Sequence, residues 1–331
     1  FMGWKKRGWL VIGVLCGLVA CSESIPRVDN RSHSAFSQSA GQNTSPARIV
    51  LVMKSPTNPY FSELANGASR AQLETGIDLS IKVAHEDDAL EQQIRLIDEV
   101  IAKHQADAIV IAPTDSIRLV PVLARARKAG IHVINIGNRL EPRIVALYGM
   151  PVVPLISIDN ASAAYQVAGK LAEGLPRGSK VAIIEGLLGT NNTRQRTEGA
   201  LQAFSEAGLR VVAKQSARWK GDEAYQVTAQ LLRDYPDLRA IFCSNDMMAL
   251  GAARYLREKG ITGVRLAGFD GITEARSALH QRQLVATIDQ HASEQGYLAV
   301  RLAVDAIAGR PLAEETLVDT ELLTATATPS P

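Results

Sequence analysis

Residues 240–271 read AIFCSNDMMALGAARYLREKGITGVRLAGFDG, and this stretch decides the fold. Apolar runs at its start and near its end each lead directly into polar residues. Between them, an amphipathic pattern ends at Gly260, a typical helix terminator. The stretch therefore predicts strand, helix and strand, and Asn245 and Asp270 should lie outside the carboxyl ends of the strands, where open parallel sheets bind ligands. Each has an ordinary alternative, since Asn commonly caps helices and Asp270-Gly271 is a common turn pair.

The same alternation of strand and helix patterns runs through the rest of the chain. Short runs rich in β-branched residues, such as 49–53 and 133–136, alternate with helical patterns, and a second, similar series begins after Asn160. Four predicted helices end in a glycine followed by a hydrophobic residue, which directs the chain into the next strand. The sequence therefore predicts an α/β fold of two doubly wound parallel-sheet lobes, with a ligand cleft between them.

Length and composition limit the classes of protein to consider. The chain has 331 residues, 21% charged residues and a formal net charge of +2, which is typical of a soluble globular protein of about two domains. Lysine and arginine cluster only in the first few residues, so no nucleic-acid surface is predicted. Cys243 is the one cysteine of the predicted domain, and its apolar neighbours indicate a buried residue rather than a nucleophile.

The N-terminal residues resemble a secretion signal. Residues 5–7 are basic, and the apolar run 8–20, too short to span a bilayer comfortably, ends in Leu-Val-Ala-Cys at Cys21. This ending resembles a bacterial lipobox, which would make Cys21 the lipidated first residue of the mature protein. The alternatives are a chance cysteine in a signal peptide and an uncleaved anchor. Residues 22–47 are polar with little apolar periodicity, which predicts a flexible tether.

Four short motifs occur in a recognisable order. They are Asn58-Pro59-Tyr60-Phe61, Ala112-Pro113-Thr114-Asp115-Ser116, Ser244-Asn245-Asp246-Met247-Met248-Ala249-Leu250-Gly251 and Gly268-Phe269-Asp270-Gly271. Together they resemble the type I periplasmic sugar-binding proteins, in particular the ribose-binding group, over residues 48–322. The resemblance implies a Venus-flytrap receptor that captures a monosaccharide and delivers it to the permease of an ABC importer. It further implies a monomer with no catalytic residues, cofactor or metal.

The resemblance also implies how the chain is divided and where it resides. Three crossovers between the lobes are expected, near Ile158, Gln290 and Asp319. A periplasmic or cell-envelope location is expected, with the protein held at the membrane through a lipid on Cys21. The expected parts are a signal peptide with the lipidation cysteine at 1–21, a tether at 22–47, an N-terminal lobe at 48–157 plus 291–318, and a C-terminal lobe at 158–290 plus 319–325.

Ligand positions of the family fall on residues of both predicted lobes. Aromatic residues would place flat rings against the apolar C–H faces of a sugar, and two arginines would offer forked donors to its oxygens. Asp270 would accept hydrogen bonds from two hydroxyls. The alternatives are a helix cap for Asn58, core packing for the aromatic residues and a surface ion pair for Arg196. The expected ligand residues are Lys54, Asn58, Tyr60, Phe61, Asn138, Arg139, Arg196, Trp219, Asn245, Asp270 and Gln290.

Three positions depart from the ribose-binding pattern. Ala112 stands where those proteins carry a polar ligand residue, Lys54 replaces a small hydroxyl residue, and Gly137 adds one residue before Asn138. If Lys54 joins the two arginines at the site, a sugar acid or another oxidised carbohydrate becomes the expected ligand. The alternative is that Lys54 points to solvent or pairs with a carboxylate such as Glu86.

Other classes of protein fit the sequence less well. A repressor of the lactose-repressor family needs roughly sixty residues of DNA-binding helices ahead of the same core, where this chain has a signal and a tether. A glycoside hydrolase needs two carboxylates across one sugar bond, and Asp270 is the only acid at the predicted site. No enzyme is therefore predicted. A sugar-sensing co-receptor for a chemoreceptor or a membrane histidine kinase stays open as the alternative to transport.

Overall fold

Strands and helices alternate along the part of the chain that the structure describes. The computed structural model describes residues 45–85 and 89–325. The strands are β1 (Arg48–Met53), β2 (Asp78–Val83), β3 (Ala108–Ile111), β4 (His132–Ile136), β5 (Leu155–Ser157), β6 (Lys180–Glu185), β7 (Arg210–Ser216), β8 (Ala240–Cys243), β9 (Arg265–Ala267), β10 (Ala286–Asp289), β11 (Glu315–Leu317) and β12 (Glu321–Thr324). The helices are α1 (Pro59–Thr75), α2 (Leu90–Ala102), α3 (Val120–Lys128), α4 (Pro142–Leu147), α5 (Asn160–Ala172), α6 (Asn191–Glu206), α7 (Gly221–Asp234), α8 (Asp246–Glu258), α9 (Thr273–His280) and α10 (Ala292–Ile307).

The strands form two six-stranded sheets with the same connectivity. Across the first sheet the order is β2-β1-β3-β4-β5-β11, and across the second it is β7-β6-β8-β9-β10-β12. Neighbouring strands run parallel, except that β12 is antiparallel to β10. The chain passes between the sheets after β5, after β10 and after β11. The predicted α/β fold of two doubly wound sheets joined by three crossovers is therefore confirmed.

Helices cover both faces of the sheets and bury the central strands. All residues of β3 and β8 are buried, as are the four central residues of β6. Strands covered on both faces have no solvent side, which explains why these strands are continuous apolar runs rather than alternating ones. Cys243, at the end of β8, is free and fully buried, as predicted. Burial raises the pKa of its thiol, so the reactive thiolate is disfavoured.

Helix α10 returns the chain to the first sheet and packs directly on α1. A Cβ on Gly67 would lie 1.7 Å from the carbonyl oxygen of Ser293, and a Cβ on Gly296 would lie 2.0 Å from the carbonyl oxygen of Leu64. Larger side chains at either glycine would force the two helix backbones apart. The close contact fixes the start of α10, and with it the crossover beside Gln290.

The boundaries differ from the sequence pattern by a few residues near the site. The apolar run 264–269 predicts a longer strand than β9, which ends at Ala267. Three residues further on, Asp270 pairs with Asp289 in an isolated parallel bridge. The short strands β11 and β12 were not predicted, because three or four residues are too few to show a periodicity.

Several expectations concern residues that the structure does not describe. The signal at 1–21, the lipidation of Cys21 and most of the tether at 22–47 lie outside the described residues. Within residues 45–85 and 89–325, no helix combines the length and the apolar character needed to cross a bilayer. The predicted residue ranges of the two lobes stay predictions.

Candidate ligand-binding site

A cavity lies between the two sheets, at the carboxyl ends of their strands. Residues that follow β1, β3, β4 and β5 of the first sheet face residues that follow β8, β9 and β10 of the second. The empty volume is about 550 Å³, its open mouth included. The lining residues are Lys54, Asn58, Tyr60, Phe61, Leu64, Ala112, Ile136, Gly137, Asn138, Ser157, Asn160, Asn192, Arg196, Trp219, Asn245, Asp270 and Gln290.

Asp270 is the centre of the polar contacts in this cavity. Its carboxylate accepts hydrogen bonds from Nε2 of Gln290 (2.6 Å) and Nδ2 of Asn58 (3.4 Å), and it lies 3.6 Å from Nη1 of Arg196. Burial raises the pKa of Asp270 to about 7, although the Arg196 charge opposes this shift. Its φ of 131° is rare for a residue other than glycine. The site thus holds a desolvated carboxylate whose ionised form would be stabilised by hydroxyl donors of a ligand.

A second buried carboxylate supports the turn that carries Asp270. Asp246, the first residue of α8, accepts hydrogen bonds from Oγ1 of Thr287 (2.6 Å) and the backbone N of Ile272 (3.1 Å). A Cβ at Gly268 would lie 2.1 Å from Oδ1 of Asp246, so this close approach requires glycine. Burial raises the pKa of Asp246 to about 6. Asp246 therefore positions the turn rather than facing the cavity.

Arg196 enters the site from α6 and is buried, with 5% of its surface exposed. Its Nε donates to Oδ1 of Asn160 (2.9 Å), and its Nη1 donates to the carbonyl oxygen of Ser244 (2.7 Å). The guanidinium carbon also lies 3.8 Å from the ring centroid of Phe269. Burial lowers the pKa of Arg196, and the neighbouring carboxylate opposes that shift. The alternative of a surface ion pair is therefore wrong, and the guanidinium is a fixed set of donors beside the cavity.

Aromatic rings enter the cavity from both sides. Tyr60 and Phe61 of α1 pack edge to face with centroids 5.1 Å apart, and the Tyr60 hydroxyl donates to Oε1 of Gln295 (3.3 Å). Trp219, in the loop before α7, has a φ of 69°, and its buried Nε1 has no hydrogen-bond partner in the described residues. A Cβ at Gly186 would lie 2.2 Å from the Trp219 ring, so the ring rests on that backbone. All three rings belong to a core cluster and also line the cavity. The core alternative is therefore confirmed, and their contact with a ligand stays a prediction.

Two asparagines of the cavity also cap helices. Oδ1 of Asn58 accepts from the backbone N of Tyr60 (3.0 Å), while its Nδ2 donates to Asp270. Oδ1 of Asn245 accepts from a backbone N–H of α8 (2.9 Å), while its Nδ2 donates to the carbonyl oxygen of Trp219 (3.3 Å). The helix-cap alternatives are therefore confirmed, and each side chain also reaches a neighbour at the site.

Arg139 is the one predicted ligand residue that does not line the cavity. Its side chain forms an ion pair with Glu315 of β11 instead. Gly137, with a φ of 73°, turns the chain so that Asn138 lines the cavity and the next residue does not. The placement of Arg139 at the site was therefore wrong.

Lys54 lines the cavity with 5% of its surface exposed. The alternative in which this lysine points to solvent is therefore wrong. Glu86, its suggested partner, lies outside the described residues. Ala112 and Gly137, where the sequence departs from the ribose-binding pattern, also line the cavity. These departures therefore lie where they affect the shape of the site.

Sequence reasoning missed several lining residues. Asn160 follows β5 just as Asn245 follows β8, so the rule that polar residues follow strands at the site was sufficient to find it. Asn192, in the first turn of α6, is not the first polar residue after a strand, and no local signal marks it. The other missed residues are Leu64, Ile136 and Ser157.

One group of described side chains has a spacing that suits a metal ion. Asp289, His291 and Glu321 place possible ligand atoms within 4.8 Å of one another. Asp289 already accepts hydrogen bonds from Arg276 and from the backbone N of His291, and Nδ1 of His291 lies 2.7 Å from the carbonyl oxygen of Asp319. Protein groups thus already engage two of the three residues, and none of the three lines the cavity.

Comparisons with known proteins agree with this architecture. Among solved structures, an ABC transporter solute-binding protein from Burkholderia multivorans is 36% identical with a TM-score of 0.81, covering 85% of this chain and 100% of that chain. A periplasmic solute-binding protein from Actinobacillus succinogenes with bound D-allose is 34% identical with a TM-score of 0.79, covering 84% of this chain and 98% of that chain.

Similar sequences have names that concern sugars. A D-ribose/D-allose-binding protein of Pseudomonas aeruginosa is 35% identical over 296 residues, which is 88% of this chain and 89% of that protein. The D-allose-binding periplasmic protein of Escherichia coli is 31% identical over 263 residues, 78% of this chain and 84% of that protein. The model of the periplasmic binding protein domain matches residues 49–311. The chain therefore belongs to the periplasmic binding protein family.

Proposed function

We propose that this protein captures a monosaccharide or a related small carbohydrate between its two lobes and delivers it to an ABC importer. The observation that carries this proposal is the buried carboxylate of Asp270, which lies beside Arg196 and three aromatic rings in one cavity. The relatives named for D-ribose and D-allose support this class of ligand. A sugar-sensing co-receptor would use the same binding step and is the alternative for the step that follows.

The chemistry of the cavity suits a hydroxylated ring. Hydroxyl groups donate to the Asp270 carboxylate, and such charge-assisted hydrogen bonds are the stronger kind. Flat aromatic rings cover the C–H faces of a sugar and lose little conformational entropy in doing so. Among the described lining residues Asp270 is the only carboxylate, so we propose no catalytic step. The proposed ligand contacts are Lys54, Asn58, Tyr60, Phe61, Arg196, Trp219, Asn245, Asp270 and Gln290.

A thermal-shift and calorimetric screen tests the proposal. The panel contains D-ribose, D-allose, other pentoses and hexoses, polyols and sugar acids. A ligand at 100 times its Kd stabilises the protein by about 2.7 kcal/mol, so a true ligand should raise Tm by several degrees. The Asp270→Ala variant is the control and should lose the shift. If no carbohydrate of the panel raises the Tm of the wild type, the proposed function is wrong.

We infer further that Cys21 carries the lipid that holds the protein at the membrane. The basic residues, the short apolar run and the Leu-Val-Ala-Cys ending support this inference. Several acyl chains at about 0.8 kcal/mol per buried CH₂ anchor a protein firmly, whereas one chain is marginal. Mass spectrometry of the native N-terminus should find acylated Cys21, and Cys21→Ser should release the protein from membranes. An unmodified N-terminus downstream of Cys21 would contradict the anchor while leaving the sugar site untouched.

A further inference from the structure

The helix α6 begins without a side-chain cap from the residue that precedes it. Thr190 precedes the helix, but its hydroxyl hydrogen-bonds to the carbonyl oxygen of Leu187 (2.6 Å) and to Oγ1 of Thr193 (2.8 Å), and it makes no cap bond. The first backbone N–H groups of a helix have no acceptor within the helix. The N–H groups of Asn191 and Asn192 therefore need acceptors from elsewhere.

Those acceptors come from the other sheet. Oδ1 of Asn138, in the loop after β4, accepts from the backbone N of Asn191 (2.9 Å) and of Asn192 (3.4 Å). Oγ of Ser116, in the loop after β3, accepts from the same N of Asn191 (3.1 Å). Both loops belong to the first sheet, whereas α6 follows β6 of the second sheet. Side chains of one lobe thus cap a helix of the other lobe.

Asn138 is held in the orientation that this cap requires. It is 2% exposed, and its Nδ2 donates to the carbonyl oxygen of Pro113 (3.2 Å). Its own carbonyl oxygen accepts from Nδ2 of Asn135 (2.8 Å), which fixes the backbone. Because the carbonyl oxygen of Pro113 needs a donor, the NH₂ group of the Asn138 side chain must face Pro113, and its Oδ1 then faces α6. Oδ1 of Asn138 also accepts from Oγ of Ser116 (3.2 Å), so this oxygen joins the loop after β3 to the start of α6.

The two lobes approach each other closely at this point. The backbone N of Ser116 donates to the carbonyl oxygen of Gly189 (3.4 Å), and a Cβ at Gly189 would lie 3.0 Å from Oδ2 of Asp115. Rotation of one lobe away from the other would separate Asn138 from α6. The cap therefore exists only while the lobes are closed, and an interaction made in one state alone shifts the equilibrium toward that state.

We propose that Asn138 is a latch that stabilises the closed lobes by capping α6, and not the sugar contact that the family resemblance implies. This inference rests on the proposed function, since closure is what retains the ligand. Because Asn138 would act on the closed lobes and not on the sugar, it should raise the affinity for every ligand by the same factor and slow the release of each ligand. Loss of a helix cap corresponds to roughly a 5–10-fold change in an equilibrium constant.

Two variants remove the two halves of the cap. Asn138→Ala removes the Oδ1 acceptor and leaves Oγ of Ser116 as the remaining acceptor for the N–H of Asn191. Asn191→Pro removes the N–H donor, and proline is favoured at the first position of a helix, where its fixed φ fits. Thr190, with φ −110° and ψ 140°, has the extended backbone that a residue before proline prefers. Asn191→Pro therefore tests the latch even if Asn138→Ala fails to fold, and the reverse also holds.

Stopped-flow and calorimetry with D-ribose and D-allose as probes give the first readout. We expect each variant to raise Kd about 5–10-fold for whichever probes bind, mainly through faster dissociation, with the ratio of the two Kd values unchanged. The effect of the double variant on Kd should be smaller than the two single effects combined, because both changes remove the same hydrogen bond between Asn191 and Asn138. A changed ratio would show that Asn138 contacts sugar directly, and an unchanged Kd in both variants would show no latch. Either result overturns the proposal.

A ligand-free readout separates the latch from the proposed function. Dyes on Leu73→Cys in α1, where Leu73 is 86% exposed, and on Lys259→Cys beside α8 report the distance between the lobes. The buried Cys243 should stay unlabelled. A lower closed fraction in Asn138→Ala and Asn191→Pro supports the latch even if the wild type binds no carbohydrate of the panel. Such a failure to bind would count against the proposed function alone. If the closed fraction of both variants equals that of the wild type in the absence of ligand, the latch is overturned.

Discussion

Replacing Asp270 with asparagine removes one charge from the centre of the cavity and keeps the shape of the side chain. Asparagine can still accept the hydrogen bond from Gln290 through its remaining oxygen. It cannot provide a charged acceptor for ligand hydroxyls. A hydrogen bond to a charged group contributes about 1.5–3 kcal/mol, and 1.4 kcal/mol corresponds to a tenfold change in Kd. We therefore expect Asp270→Asn to raise Kd by roughly 10–150-fold at neutral pH.

The unliganded fold should tolerate this change. Burial raises the pKa of Asp270 to about 7, so the ionised carboxylate costs the native state free energy at neutral pH. Asparagine carries no charge and removes that cost. Arg196 loses a charged neighbour at 3.6 Å but keeps its hydrogen bonds to Asn160 and the Ser244 carbonyl oxygen. These effects oppose each other, so the Tm of the unliganded protein should change little.

Ligand affinity and unliganded stability should depend on pH in opposite directions. The pKa of Asp270 is about 7 in the native state and about 3.9 in an unfolded chain, so the native state binds the proton more tightly. Its contribution to the free energy of unfolding therefore falls as pH rises from about 4 to about 7 and is constant above that. Affinity should rise over the same range, because hydroxyl donors bind the ionised carboxylate. Asp246, whose pKa is raised to about 6, adds to the stability trend and is unchanged in the variant.

Calorimetry at pH 5.5 and pH 8 checks these expectations. The wild type should bind its sugar more tightly at pH 8, and Asp270→Asn should bind weakly with little dependence on pH. Asp237→Asn is a matched control, because this exposed carboxylate pairs with Lys180 on the surface and does not line the cavity. Affinity of Asp270→Asn within a few-fold of wild type at pH 8 would show that Asp270 merely forms the turn.

Three further predictions follow from named contacts. Trp219→Ala should weaken binding of every sugar by about 10-fold or more through lost ring contact, measured by calorimetry, and an unchanged Kd would contradict its placement at the ligand. Lys54→Ser tests the charge of the ligand by comparing D-glucuronate and D-galacturonate with the neutral hexoses. Neutral sugars should be the tighter ligands of both proteins, because Arg139 does not line the cavity and an acid would add a second carboxylate beside Asp270. Tighter wild-type binding of a sugar acid that is lost in the variant would instead assign an anionic ligand. Gly67→Ala should lower the free energy of unfolding, measured in urea, by about 1–3 kcal/mol, because its Cβ would collide with α10. The control Gly169→Ala, which has open space around it in α5, should raise the same free energy by about 0.5–1 kcal/mol.

Most of the fold and much of the site could be predicted because they depend on local pattern. The strand at residues 240–243 is observed with the predicted bounds, since an uninterrupted apolar run bounded by polar residues has one stable place in a covered parallel sheet. Asn245 and Asp270 lie at the cavity because they follow neighbouring strands of that sheet. The predicted strand near Asp270 was too long because apolar residues in a buried turn resemble a strand.

Contacts between the lobes could not be predicted in the same way. Asn138 and Asn191 are 53 residues apart, and nothing in either segment marks one as the acceptor of the other. The missing side-chain cap at Thr190 is visible only in the structure, because threonine is itself a common capping residue. Family resemblance places Asn138 beside the ligand but does not distinguish a sugar contact from a contact with the opposite lobe.

Arg196 and Arg139 show where the periodicity of the sequence predicts the placement of a side chain and where it does not. Arg196 lies in α6, and its spacing from Thr193, Thr197 and Ala200 is the i, i+3, i+4, i+7 pattern of one helix face, all of which is buried. Burial of Arg196 was therefore available from the sequence once the helix was recognised. Arg139 lies in a loop after Gly137, whose positive φ resets the direction of the chain, so no periodicity relates its side chain to that of Asn138. Its partner Glu315 belongs to a strand that only the second crossover, through α10, brings to the first sheet. An arginine in such a loop requires the tertiary structure before a role can be assigned to it.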